Sequence, residues 1–214
     1  MTLRGKLIKE NKNRWLDVGC NKNFEEGFYY LDTWPVKNIP LEYRKRYFKI
    51  NIFKASNKEL KSLGKFDLVR MQHVLEHFSY EEGLIVLRNL AKLLRNEGVF
   101  IATVPDLRVH VDKYINKKYK KWKTYKWWTK CWAMKRIPPN APDSFYFSVF
   151  AYSLPITAHK WCYDYEGLAY LLKLSGLFHK IRKIDFKNSL ASFPFTHNRP
   201  EEDVCIMALK KIKK

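Results

Sequence analysis

The 214 residues predict an α/β fold built on a mostly parallel sheet, and three observations carry that expectation. Short apolar runs rich in β-branched and aromatic residues alternate with helix-period segments through the first half, the pattern of a parallel sheet with crossover helices. The first of those runs ends on a glycine, where an open sheet turns into its ligand-binding crevice. Length and a hydrophobic content of 46% suit one compact domain over residues 1–214 with a core of its own.

Strands are expected at Arg14 to Val18, Phe28 to Leu31, Tyr47 to Phe53, Phe66 to Met71 and Val99 to Val104. From Tyr80 to Arg95, residues Leu84, Leu87, Leu90 and Leu94 fall at helical spacing, and Asn96, Glu97 and Gly98 read as the stop. A second helix opens on Asp164 as N-cap, carries Leu168, Leu171, Leu172 and Leu174, and ends at Gly176. Lys180 to Phe186 and Val204 to Leu209 are the closing strands. The stretch between Asp17 and Asp32 leaves room only for a short first crossover helix, or none. From about residue 109 to 160 the alternation breaks, and this stretch reads as an insertion capping the site.

Lys+Arg of 41 against Asp+Glu of 21 gives a net charge of +20. Such a surface attracts phosphates, acidic glycans or anionic membranes, or serves solubility alone. Cys20, Cys131, Cys162 and Cys205 form no CxxC pair, which argues against a zinc or redox motif and for free thiols in a reducing compartment. No apolar run approaches the roughly 18 residues needed to span a bilayer, and the charged N-terminus does not read as a leader. A cytoplasmic location is the expectation.

The first strand runs through Asp17 into Gly19, Cys20 and Asn21, and the second ends on Asp32, where an acid can accept hydrogen bonds from ribose hydroxyls. Alone, such a turn also arises by chance, with Asp17 merely capping it. The order of several segments along the chain is more specific: LDVGC, Asp32, FKINIF, FDLVRMQHVLEHF, a helix, the Asn-Glu-Gly turn and FIATVPDL. Together these segments resemble the class I S-adenosylmethionine-dependent methyltransferases. Within that family, HVLEH and VPDL are similar to segments of small enzymes of glycan and cell-surface polysaccharide pathways. The resemblance spans residues 14–110 closely and 157–209 loosely.

It implies a Rossmann-like fold, with a mostly parallel seven-stranded sheet, an antiparallel last strand and an aromatic, basic cap. S-adenosylmethionine is the implied cofactor. Asp17, Gly19 and Cys20, with Asn21 in the turn, would line its methionine part, Asp32 its ribose and Asn51 its adenine, with the Met71 and Gln72 backbone as a wall. Asn21 stands where the family usually has a second glycine, and Asn51 where it more often has Asp. Asn tolerates the left-handed backbone better than most residues. The same two positions would suit a binding protein that kept the fold and lost turnover.

Methyl transfer to an alcohol needs oxygen, methyl and sulfur in line and a base for the hydroxyl proton. His73, Glu76 and His77 stand at i, i+3 and i+4, which would gather them on one side of the turn leaving the fourth strand. His77 is the first candidate base and His73 the second, while Glu76 and His77 could equally brace the loop. Similar E-x-x-E-H clusters bind metal in ubiquinone-pathway O-methyltransferases and in enzymes that methylate the terminal ribose of small RNAs. By that resemblance His73, Glu76 and His77 would hold a divalent ion, Mg or Mn, that draws two neighbouring hydroxyls and acidifies one. His159 resembles the family's substrate-side histidine; alternatively it packs under Trp161.

From Lys113 to Arg136 lysines interleave with Tyr114, Tyr119, Trp122, Tyr125, Trp127, Trp128 and Trp132, without an acid. Trp122, Tyr125, Trp128 and Trp132 fall at helical spacing, for which core packing is the commoner fate. Flat aromatic faces also suit sugars and bases. The expected acceptor is a carbohydrate or glycoconjugate hydroxyl, followed by nucleic acid as an RNA ribose, with peripheral membrane contact third. The Pro-rich, aromatic segment Ile137 to Pro155 reads as a loop over the acceptor pocket or as a dimer contact, and the oligomeric state stays open.

Overall fold

The computed structural model describes residues 14–21, 23–118, 140–145, 147, 159–185 and 201–212. Seven strands form one sheet: β1 (Trp15–Val18), β2 (Phe28–Asp32), β3 (Tyr47–Lys49), β4 (Phe66–Gln72), β5 (Leu94–Pro105), β6 (Phe178–Ile184) and β7 (Asp203–Lys210). Their spatial order is β3-β2-β1-β4-β5-β7-β6. The pairs β1–β2, β1–β4, β2–β3 and β4–β5 are parallel, and β7 runs antiparallel to both β5 and β6. The mostly parallel sheet with an antiparallel last strand is therefore as expected, and the parallel strand ends gather on one edge.

The helices are α1 (Asn57–Ser62), α2 (Tyr80–Leu93), α3 (Leu107–Ile115) and α4 (Tyr165–Leu174). Capping boxes of Ser56 with Glu59 and Ser79 with Glu82 start α1 and α2, satisfying amides that have no partner inside the helix. Asp164 caps α4 by accepting from the Gly167 amide at 2.8 Å, and Gly176 follows that helix with φ +69. Leu16, Val18, Val69, Met71 and Phe100 share one core with Val86, Leu90, Leu168 and Leu172. A second cluster holds Trp15, Phe28, Tyr30, Leu68 and Ile101. Burial on both faces explains why these strands read as continuous apolar runs rather than alternating ones.

Three boundaries differ from expectation. β3 stops at Lys49 rather than Phe53 because the Asn51 side-chain oxygen accepts from the Phe53 and Lys54 amides, turning the chain away from the sheet. Helix α2 ends at Leu93, and Leu94 already pairs with Phe66, so the Asn-Glu-Gly turn is an irregularity within β5, with Glu97 at φ 57. β6 begins at Phe178 and carries a register shift between His179 and Arg182, with Lys180 at φ 48.

Among the described residues, no helix links β1 to β2 and none is long and apolar enough to cross a membrane. Most of the expected cap, including Trp122, Tyr125, Trp128, Trp132 and Cys131, lies outside the described residues, as does the loop holding Pro194 and Pro200.

Candidate functional site

Gly19 turns with φ +74, and its amide donates to the Leu31 carbonyl at 2.8 Å, laying the turn across the end of β2. A Cβ at this position would stand 2.2 Å from Val74 Cγ2, so glycine permits both the backbone and the close approach of the turn after β4. Asn21 adopts φ 50, the left-handed conformation that asparagine tolerates. Its amide donates to Asp32 Oδ2 at 2.8 Å, and the Thr33 amide donates to Oδ1 at 2.6 Å. Each carboxylate oxygen keeps further acceptor capacity, and Asp32 is half-buried, a combination that fits a ribose diol.

Asn51 is exposed beside this turn, while Met71 and Gln72 end β4 with Met71 fully buried. Two expected cofactor contacts turn inward instead. Asp17 is 3% exposed, with Oδ2 held by Arg70 Nη2 at 2.6 Å. Cys20 is buried in the second core cluster, where burial pushes its thiol pKa up. At Asp17 and Cys20, side chains serve the core, and the turn offers a ligand its backbone.

His73 follows β4 with φ 54, and its amide donates to the Thr103 carbonyl at 3.0 Å. A 3-10 turn, Leu75–His77, then presents Glu76 and His77. The Lys160 and Trp161 amides donate to the Glu76 carbonyl at 2.8 and 3.2 Å, which brings His159 to His77 with ring centroids 5.2 Å apart. Trp161 packs on Tyr80 instead, at 5.6 Å. Glu76, His77 and His159 each offer a ligand atom, and these lie within 4.8 Å of one another.

This set departs from the expected triple. His159 completes the cluster, and His73 sits behind it, with Nε2 2.8 Å from Asp203 Oδ2 and Nδ1 3.4 Å from Glu76 Oε1. Beyond that long ion pair, neither Glu76 carboxylate oxygen makes a hydrogen bond, although the side chain is 3% exposed. A buried carboxylate in that state is suited to a cation, and with two imidazoles it forms a donor set that fits a divalent ion.

A family model described as a methyltransferase domain matches residues 2–177. The chain belongs to that family. Among curated proteins none is a sequence match. The methyltransferase domain has the fold of several solved structures. The S-adenosylmethionine-dependent methyltransferase SibL gives a TM-score of 0.55 at 15% identity, covering 99% of this chain and 54% of SibL. Human N-acetylserotonin methyltransferase, solved with S-adenosylmethionine, gives 0.54 at 11% identity, covering 98% and 51%. Magnesium protoporphyrin IX methyltransferase from Synechocystis, solved with S-adenosylhomocysteine, gives 0.51 at 12% identity, covering 98% and 80%. The chain spans about half the length of the first of these relatives.

Within the methyltransferase domain, electrostatics separates the three histidines. Burial would lower the His73 pKa, but Asp203 and then Glu76 outweigh it and raise it to about 9. With both ring nitrogens facing carboxylates, Nε2 toward Asp203 and Nδ1 toward Glu76, His73 is less well placed than His77 to take a proton from an acceptor. Burial would raise the Glu76 pKa, yet His73, His77 and His159 together keep it below the ordinary carboxylate value. Asp106 of the VPDL segment is a cap: it accepts from the Arg108 amide at 2.9 Å and starts α3.

Sequence reading missed Asp203 and Arg70. Asp203 has no local signal, because it meets His73 only through sheet pairing. Arg70 left one, a charge between Val69 and Met71 in the buried middle of a parallel strand.

Proposed function

We propose that this methyltransferase domain transfers a methyl group from S-adenosylmethionine to a sugar hydroxyl of a glycan or glycoconjugate. The observation that carries the reading is the convergence of Glu76, His77 and His159 at the end of β4, just beyond the Val74 that abuts the Gly19 turn. Relatives solved with S-adenosylmethionine or S-adenosylhomocysteine support the choice of donor.

Gly19, Asn21, Asp32, Asn51 and the Met71–Gln72 backbone would hold this cofactor, which supplies the electrophilic methyl group. Asp32 orients the ribose, and the amides of the Gly19 turn face the methionine end. An imidazole of the His77–His159 pair takes the acceptor hydroxyl proton, and the buried Glu76 carboxylate stabilises the resulting imidazolium. Where a divalent ion is held by Glu76, His77 and His159 instead, the imidazole lone pairs are committed to it, and its Lewis acidity rather than a histidine base would acidify one of two vicinal hydroxyls. At the C-terminal end of α3, Tyr114, Ile115, Lys117, Pro142, Asp143 and Ser144 line a cavity of about 520 Å³, a mixture of apolar surface and hydroxyl-bonding groups that suits a sugar ring.

A terminal RNA ribose presents the same vicinal diol, and the +20 charge favours it as the second acceptor. The test is release of S-adenosylhomocysteine with free sugars, nucleotide sugars, glycolipids and RNA ends, with and without chelator. Turnover on a sugar class alone supports the proposal. Turnover on RNA alone replaces the acceptor, no turnover with any acceptor favours a binding protein, and turnover indifferent to chelation removes the metal.

A further inference from the structure

β1 and β2 are adjacent and parallel, paired from Trp15↔Phe28 to Val18↔Leu31. A parallel pair needs a crossover, usually a helix of a dozen or more residues, whose packing on the sheet fixes the loop at the strand's end. Here the connection is only residues 19–27, without a helix among the described residues. Something else must hold the turn that contains Gly19 and Asn21.

That role falls on Arg70, which projects from the middle of β4 and is 1% exposed, the largest fully buried side chain among the described residues. Its Nη2 contacts Asp17 Oδ2 at 2.6 Å, its Nη1 contacts Glu25 Oε2 at 2.5 Å, and its guanidinium lies 4.2 Å from the Phe28 ring centroid. Glu25 is fixed a second time, because its amide donates to Tyr30 Oη at 2.7 Å and the Tyr30 hydroxyl donates to its carbonyl. Phe24 stacks on Tyr43 and meets Tyr30 edge-on. One cation thus joins the strand before the turn, the far end of the turn and the start of the next strand. A buried arginine is costly in a strand that apolar residues could fill, so its two carboxylate partners and their position under the connection need a reason.

We propose that Arg70, through Glu25, is a positioning residue that does the work a crossover helix would do and holds Gly19–Asn21 and Asn23–Glu25 in the cofactor-binding shape. The inference rests on the proposed donor site, and its experiment separates the two. Arg70→Lys keeps the charge but cannot reach both carboxylates with a planar fork. Glu25→Gln alters a partly exposed side chain and spares the core.

Hydrogen exchange on the protein without cofactor should show faster exchange at residues 20–26 in both variants, with the amides of β4 and β5 unchanged. Calorimetry with S-adenosylhomocysteine should show affinity weakened about tenfold in each, with the double variant no worse than either single. The KM for S-adenosylmethionine should rise while kcat at saturation holds. If Glu25→Gln exchanges and binds as the wild type does, the proposal is overturned. If Arg70→Lys fails to fold, Glu25→Gln decides alone. If wild-type protein binds no S-adenosylhomocysteine, the donor reading falls, and local exchange in the unliganded variants still judges the latch.

Discussion

His77 and His159 meet edge to face, ring centroids 5.2 Å apart, one before the long insertion and the other at its end. The contact exists because the chain returning from that insertion pins its Lys160 and Trp161 amides onto the Glu76 carbonyl. Lys160 adds an ion pair to Glu82 at 2.8 Å. His159 is therefore joined to the turn after β4 by backbone geometry rather than by a flexible reach.

If this pair handles the acceptor proton, His159→Ala and His77→Ala should each lower kcat by about 100-fold or more while leaving S-adenosylhomocysteine affinity unchanged. Single-turnover kinetics and calorimetry on the same preparations check both halves. Full kcat in either variant would assign that histidine to bracing.

Gly19→Ala combines an unfavourable left-handed backbone, costing about 1–2 kcal/mol, with a Cβ 2.2 Å from Val74 Cγ2. Expected outcomes are a lower melting temperature and S-adenosylhomocysteine binding weakened at least about tenfold. Adding Val74→Ala should restore part of both, since it removes the Cγ2 clash and leaves the backbone strain and a tight 3.3 Å approach to Val74 Cβ. A double variant no better than Gly19→Ala would mean that the clash contributes little.

His73 gives a pH signature. Its folded pKa is raised from 6.5 to about 9, so its stabilising contribution is complete below about pH 6.5 and is lost as pH rises through about 9. With chelator present, the melting temperature of the wild type should fall across that window relative to His73→Gln. Parallel melting curves for the two proteins would mean that His73 is not a folded-state cation.

Asp203→Asn removes a partner of that buried ion pair and should destabilise the fold by about 3–5 kcal/mol. Combining it with His73→Gln should recover much of the loss, because neither buried charge is then left alone. Denaturant unfolding of the four proteins measures the coupling, and simple additivity would contradict it.

Asp32→Ala deletes the acceptor for the Asn21 and Thr33 amides as well as the proposed ribose contact. Losing hydrogen bonds to a charged group costs about 1.5–3 kcal/mol each, so S-adenosylhomocysteine affinity should drop at least about tenfold. Unchanged affinity would remove Asp32 from the site.

The sequence by itself located the seven strands and the helices α2 and α4, because burial on both faces forces apolar runs and caps mark the helix starts, whereas α1 and the short α3 did not stand out from it. It also singled out Gly19, Asp32 and the His73–His77 segment, since turn conformation and strand-end position are local properties. Only the tertiary structure decided which side chains meet. Asp17 turned inward to Arg70, His73 was taken by Asp203 from the last strand, and His159 came in from the end of the insertion. These pairings join residues far apart in the chain, and no local periodicity encodes them. They follow from sheet order and from the need of each buried charge for a partner.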